Sequence, residues 1–449
     1  MMRKIISILA FSFMFVQNAN SWEWTKNAFN EWLKTNKIDK RMGCESLPRS
    51  VLCWDDSGKP LWEKKQNNLE VKIYNESLNL PHKANPNYDT LLFYLFRYIY
   101  GLPLARPYHE VKPSNTPYQF KSELIENKYI DKQMQHTDLL SYLYYENGKI
   151  YFDKITPENR FGIMFKNDTK YVSNSIGKSL VSYITGHAIC NGNIESLETK
   201  LNDWPLIENT LYYDQKLIDL LNMKAGDNKI FNEEGKFKKS RKHPSDYTIK
   251  NIVSSDLLNT KKSGTKYSYN NFIPNIIHNY VFFKSKENYQ KILNTIFNDK
   301  AKIEHSVYMM ESNDFGNFDK SQDLKKLGHK RYTFFATRYD YLRIAKAMLD
   351  DWQNDTCVGR YLKTIFKNKT IKNEKGNNKS SYNYGRLYAG QFHTGFPGMK
   401  NRAVLAMDGL GNQSIMIDFE NKRIVAAHAI IGRYNWKKII FNPIKNGIN

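Results

Sequence analysis

Strand signals at two distant places in the chain constrain its fold more than any other feature. LLSYLYYENGKIYFDKI, residues 139–155, reads as two extended segments around Glu146-Asn147-Gly148, where Asn-Gly is a strong hairpin signal. Much later, RAVLAMDG, NQSIMID and RIVAAHAII read as three successive strands, with Glu420-Asn421-Lys422 turning the last two. Between these sets, from about Ser175, the residues Ile176, Leu180, Val181, Ile184, Ala188 and Ile189 fall on one helical face, and Gly192 marks the helix stop. YNWKKIIFNPI reads as a closing helix. Strands at both ends with helical material between them predict an α+β fold: an antiparallel sheet flanked by helices, assembled from distant segments, with a mostly helical inserted lobe.

The first 21 residues are set apart from this pattern. Arg3 and Lys4 precede the apolar run IISILAFSFMFV, and QNANS supplies small residues before Trp22, the pattern of a secretory signal peptide cleaved at Ala19-Asn20-Ser21. The run is too short for a comfortable membrane span, and no cysteine follows the cleavage site to carry a lipid. A periplasmic or secreted protein is therefore expected, with residues 22–136 as an N-terminal accessory region and 137–449 as the main domain. Within the accessory region, TLLFYLFRYIYGLPLA at 90–105 contains Arg97 and reads as a buried or surface-seated helix in preference to a span.

All four cysteines lie in the exported part, where disulfides persist, and four allow three pairings. Cys44 and Cys53 enclose a short loop containing Pro48 and are the favoured pair, while Cys190 ends an apolar helical stretch and is expected to be simply buried. No two of the ten histidines fall within a helical turn of each other, so no zinc site of paired histidines is expected. The formal charge of +22 is carried by lysines scattered among asparagines, with KKSRKH at 238–243 the densest cluster. Such scatter argues against a nucleic-acid partner and leaves attraction to an anionic cell envelope as an expectation.

SNSIGKSL, residues 173–180, admits two incompatible readings. As the tail of a phosphate-binding loop, Gly177-Lys178-Ser179 would need a glycine five positions before Gly177, and Val172 stands there. As a nucleophile and its activating amine, Ser175 and Lys178 at i and i+3 share a face of the first helical turn, and the helix N-terminus favours an alkoxide. The spacing alone is weak, since Ser263-Gly-Thr-Lys266 repeats it. Its setting, a hairpin before and an amphipathic helix from it, is what strengthens the first instance.

With these segments in order, the chain resembles the β-lactamase-like serine hydrolases, which include class C β-lactamases, D-alanyl-D-alanine peptidases, and related esterases and amide hydrolases of the 6-aminohexanoate-dimer-hydrolase kind. The resemblance runs from about 137 to 435. It rests on the YYENGKIYFDKI hairpin, the SNSIGKSLVSYITGHAICNGNIESLETKLNDWP helix and connection, LIDLLNMKAG, YSYNN at 267–271 and FFATRYDYLRIAKAML. It implies that Ser175 is the acylated nucleophile, Lys178 its activator, Tyr269 a proton shuttle, and Asn271 a hydrogen-bond partner of substrate or of Lys178. An extended Tyr-x-Asn puts both side chains on one side. A second Tyr-x-Asn, Tyr145 to Asn147, is assigned to the hairpin turn.

The family's third motif, a basic residue, a small residue and glycine beside a strand, has three competing stretches. Lys262-Ser263-Gly264 precedes Tyr269, which is the wrong order. His393-Thr394-Gly395 is followed by Phe396-Pro397, which breaks any immediate strand. Gly409-Leu410-Gly411-Asn412-Gln413 lies between strands and is similar to the Gly-His-Gly-Gly-Gln of some members, with Leu410 in place of the basic residue. Strand context favours the last. The backbone N–H of Gln413, with that of Ser175, is then the expected oxyanion hole. Leucine cannot bind a substrate carboxylate, so an ester or amide hydrolase is favoured over a true β-lactamase, unless His393 or Arg402 supplies charge from nearby. Asp408 reads as a solvated turn residue with no role. The expected activity is acyl transfer to water on a small-molecule or peptide-like ester or amide, with no metal or organic cofactor. The alternative is a catalytically silent module that binds envelope peptides or glycans in the same cleft.

Overall fold

The computed structural model describes residues 108–137, 139–157, 162, 165–231, 236–240, 247–312, 328–372, 380–429 and 434–448. The expected signal peptide, the expected Cys44–Cys53 pair and the apolar stretch at 90–105 lie outside them.

The 139–155 segment forms β3 (Leu139–Glu146) and β4 (Lys149–Ile155). Asn147 and Gly148 both take positive φ, +47° and +94°, which suits the right-handed twist of a two-residue hairpin. Three strands near the C-terminus, β11 (Val404–Gly409), β12 (Gln413–Asp418) and β13 (Arg423–Ala429), form successive antiparallel pairs. The two sets join where β13 pairs antiparallel with β3, with Val425 opposite Tyr144 and Ala427 opposite Tyr142. Three short strands extend the far edge: β8 (Thr370–Ile371), β9 (Leu387–Ala389) and β10 (Phe392–Thr394). With β2 (Lys121–Ser122), parallel to β4, the complete order is β2-β4-β3-β13-β12-β11-β10-β9-β8.

The central strands carry apolar residues without alternation because both sheet faces are covered. One face, including Tyr142, Tyr144, Ala406, Met416, Val425 and Ala427, packs under helix α1 (Lys128–His136) and the C-terminal helical segment with Trp436, Ile440 and Ile444. On the other side lie α2 (Ile176–Cys190) and α4 (Arg338–Gln353), with α3 (Ile273–Ser285) packed on α2. Helix α2 is buried nearly all round, as a central helix must be.

Two features depart from the sequence expectation. A second sheet, ordered β1-β6-β7-β5, joins β1 (Tyr108–Val111), β5 (Tyr171–Val172), β6 (Val307–Glu311) and β7 (Lys330–Ala336). Through β1, β2 and α1, residues 108–136 pack into the same unit as the sheet, upstream of the boundary expected at residue 137. The second departure is Cys190, which is no isolated buried thiol. It forms a disulfide with Cys357 at the start of α5 (Cys357–Lys367), because α5 packs along α2 and brings the two Cα atoms to 5.8 Å. Closing a loop of 167 residues is worth on the order of 2–5 kcal/mol to the folded state.

Candidate active site

The chain enters the site from β5. Ser173 Oγ accepts from the Phe334 amide at 2.9 Å and ties the chain to β7. Asn174 then turns left-handed at φ +46°, a conformation that asparagine tolerates better than most side chains, and its Nδ2 donates to the Leu410 carbonyl at 2.8 Å. Ser175 is thereby delivered, partly exposed, to the N-cap position of α2. Two residues on, a Cβ at Gly177 would stand 1.9 Å from the Tyr332 carbonyl oxygen, so α2 can begin against β7 only with glycine there. We expect Gly177→Ala to push this first turn away from β7. Labelling of Ser175 by a serine-directed phosphonate should then slow by about 10²-fold in a variant that still folds, since about 1 Å of misplacement is enough for that.

Lys178 lies beneath the serine with 1% of its surface exposed. Its Nζ donates to Ser175 Oγ at 2.8 Å and to Asn271 Oδ1 at 2.7 Å. Burial holds its pKa well below the ordinary lysine value, so the neutral amine forms at a lower pH than on a surface lysine. The same Nζ stands 4.6 Å from the ring centre of Tyr269. Tyr269 is partly exposed, and burial and the neighbouring Tyr388 raise its phenol well above the usual value while a hydrogen bond with Ser175 opposes them.

Tyr269 and Asn271 share one side of the chain because the residue between them is anchored inward. Asn270 Nδ2 donates to Asp227 Oδ2 at 2.9 Å, and its Oδ1 accepts from the amides of Phe272 and Ile273, at the start of α3. Asp227, from the KAGD segment, is fully buried and also accepts from the Tyr212 hydroxyl at 2.6 Å.

The structure separates the three stretches that compete for the third motif. Ser263 is hydrogen-bonded to the Gly226 carbonyl and Asn228, and the Ser263 to Lys266 repeat lies in a loop with no helix to align it. Phe392–Thr394 does form a strand, contrary to the expectation from Phe396-Pro397, because Gly395 at φ +70° turns the chain before the proline is reached. His393 thus sits beside β11, its ring centre 6.3 Å from that of Tyr269. Burial, with Lys372 and Lys178 nearby, holds its pKa well below the ordinary histidine value and keeps the ring neutral. The β11–β12 turn reaches the segment that leads into Ser175: the Leu410 carbonyl meets Asn174, and a Cβ at Gly409 would stand 2.6 Å from the Ser173 carbonyl. Leu410 itself is 57% exposed.

Gln413 pairs with Gly409 at the start of β12. Its side chain is fully buried and turned away, donating to the Ala429 carbonyl and facing His428 Nδ1. Any part it plays at the site falls to its backbone. Arg402 is committed elsewhere, to Asp418 and the carbonyls of Ile444 and Lys445, and supplies no charge to the cleft. Asp408 is not a solvated turn residue: it is buried on β11, accepts from the Tyr382 amide at 2.8 Å, and is pushed by burial to a pKa of about 6. One residue that the motifs did not reveal also touches the site. Tyr332, on β7, places its ring centre 4.3 Å from Lys178 Nζ.

Among the described residues no group of three or more histidine, cysteine or acidic side chains is arranged to hold a metal, and no helix is long and apolar enough to cross a membrane. No family model and no curated protein matches the sequence. Solved structures do. A Bacillus anthracis protein named as a 6-aminohexanoate-dimer hydrolase superposes with a TM-score of 0.55 at 12% identity, over 82% of this chain and 95% of its own. A Bacteroides dorei protein named as a β-lactamase gives 0.48 at 14% identity, over 69% and 91%. FmtA from Staphylococcus aureus gives 0.47 at 17% identity, over 74% and 93%. The first of these likenesses shows the fold: the α+β architecture that the ordered motifs resembled.

Proposed function

We propose that the protein is an exported serine hydrolase that cleaves an ester or amide through a Ser175 acyl-enzyme. The observation that carries this reading is the chain of contacts from Ser175 to Lys178 to Asn271, with Tyr269 alongside, on the fold shared with a protein named as a 6-aminohexanoate-dimer hydrolase. Ser175 Oγ gives its proton to Lys178 Nζ as it bonds to the substrate carbonyl carbon. The oxyanion that forms is met by backbone N–H groups at the start of α2 and at the β11–β12 turn. Lys178 returns this proton through Tyr269 to the departing alcohol or amine as the carbonyl re-forms, and water then adds to the acyl-enzyme, releasing the acid and Ser175 with its hydroxyl proton.

The surroundings favour a substrate without a carboxylate beside the scissile bond. Leu410 is apolar, His393 is neutral, Arg402 is bonded elsewhere, and Lys372, the cation beside His393, is buried and bonded to the Tyr382 carbonyl and His393 Nδ1. Export is supported by the leader-like first 21 residues and by the Cys190–Cys357 disulfide, a bond that persists in oxidising compartments. The test is a panel of neutral chromogenic esters and anilides beside a β-lactam. Turnover of the neutral substrates, lost in Ser175→Ala, is the expected result. A folded protein that turns over none of them yet binds envelope peptides or glycans unchanged by Ser175→Ala would replace this reading with a silent binding module.

A further inference from the structure

The amine of Lys178 is enclosed by two aromatic faces, and only one of them belongs to the motif. Tyr332 lies closer than Tyr269, at 4.3 Å against 4.6 Å from the ring centre to Nζ. Its position is fixed from both sides. The Tyr332 carbonyl is the atom against which Gly177 packs, and the Tyr332 amide donates to Asn275 Oδ1 on α3 at 3.1 Å. The side chain is buried, 6% exposed. A tyrosine whose backbone is locked between α2 and α3, and whose ring face lies against the Lys178 amine, does more than fill space.

We propose that Tyr332 supports the proton transfer from outside the motif: its ring face stabilises the ammonium that Lys178 becomes on taking the Ser175 proton. The inference rests on the acyl-transfer reading for its catalytic meaning, and the chemistry is a single proton transfer from Ser175 Oγ to Lys178 Nζ. In a dry site that ammonium has lost its water, and the negative faces of two rings are the compensation available to it. Both rings lie against the amine before the proton moves, so no reorganisation is needed when the charge appears. The titratable groups that face Lys178 are Tyr269 from the segment before α3, Tyr332 from β7 and His393 from β10, and His393 is held neutral.

The ring and the hydroxyl are separable by substitution. The full chain with carbon-13 at the lysine ε position is titrated by NMR, the Lys178 signal being identified by its loss in Lys178→Met. Tyr332→Leu removes the ring face and should lower the Lys178 pKa by about one unit, the size expected of a desolvated cation–π contact. Tyr332→Phe keeps the face and should leave that titration where it is. Phosphonate labelling of Ser175 should slow about tenfold in Tyr332→Leu, the counterpart of a one-unit fall in the basicity of the amine, and stay within about twofold of native in Tyr332→Phe. Circular dichroism checks that each variant is folded, and Tyr332→Met, which also removes the ring face, is read in its place should the Leu variant fail to fold. An unchanged Lys178 titration in folded Tyr332→Leu or Tyr332→Met, or a Tyr332→Phe titration that falls as far as theirs, overturns the proposal. A native protein that never labels at Ser175 defeats the acyl-transfer reading instead, while the lysine titration still reports on whether Tyr332 supports the ammonium.

Discussion

Replacing Lys178 by methionine is expected to slow acylation of Ser175 by about 10²–10⁴-fold, the usual worth of a positioned general base. Methionine suits the site sterically, because the lysine stem is buried, so the loss isolates the amine. The pH profile carries the sharper signature. Only the neutral amine can accept the serine proton, and burial holds the Lys178 pKa well below the ordinary lysine value. The native rate should therefore rise with pH through that lowered pKa and level off earlier than a surface lysine would allow. Lys178→Met should lose that limb along with the rate. Stopped assays of ester hydrolysis or phosphonate labelling across the pH range read both effects. A methionine variant that keeps the native profile would mean that Lys178 is not the base.

The second large effect concerns the frame of the site. Arg338 opens α4 and is 1% exposed. Its guanidinium donates to Ser141 Oγ at 2.7 Å, to the Lys154 carbonyl at 2.8 Å and to Asn167 Oδ1 at 2.9 Å, and pairs with Asp153 at 2.7 Å. One side chain thus ties α4 to both strands of the β3–β4 hairpin. Arg338→Ala leaves these acceptors without their donor and should destabilise the fold by about 3–5 kcal/mol, the range for breaking a buried ionic network by removing one partner. Urea unfolding of the native and variant proteins, with equal slopes, measures it. A shift below about 1 kcal/mol would show that water replaces the guanidinium at little cost.

Both variants probe a structure that was legible in the sequence to unequal depths. The hairpin could be read because Asn147-Gly148 has a single favoured backbone answer, and the C-terminal strands because their apolar runs are short and bounded by turns. The order of the motifs pointed to Ser175, Lys178, Tyr269 and Asn271, and the structure brings these four into contact around one amine. What stayed hidden depends on distant packing. The β1-β6-β7-β5 sheet pairs Tyr108 with Met310 and Tyr171 with Ala336, partners far apart in the chain, and its two longer members carry little alternation. Cys190 and Cys357 meet only because α2 and α5 lie side by side. Tyr332 is one of thirty tyrosines and belongs to no motif, so nothing local distinguishes it. The strand at His393 was masked by Pro397, whose effect is spent after the Gly395 turn. Gln413 has the opposite lesson: its letter matched, yet its side chain serves the sheet interior.

The measurement that bears most directly on the central claim is mass spectrometry of the purified protein after exposure to a fluorophosphonate probe, run beside Ser175→Ala and Lys178→Ala. An activated serine predicts one adduct on the peptide containing Ser175, absent in the first variant and much slower to form in the second. A correctly folded native protein that takes up no label at Ser175, or labels equally fast without Lys178, would contradict the account.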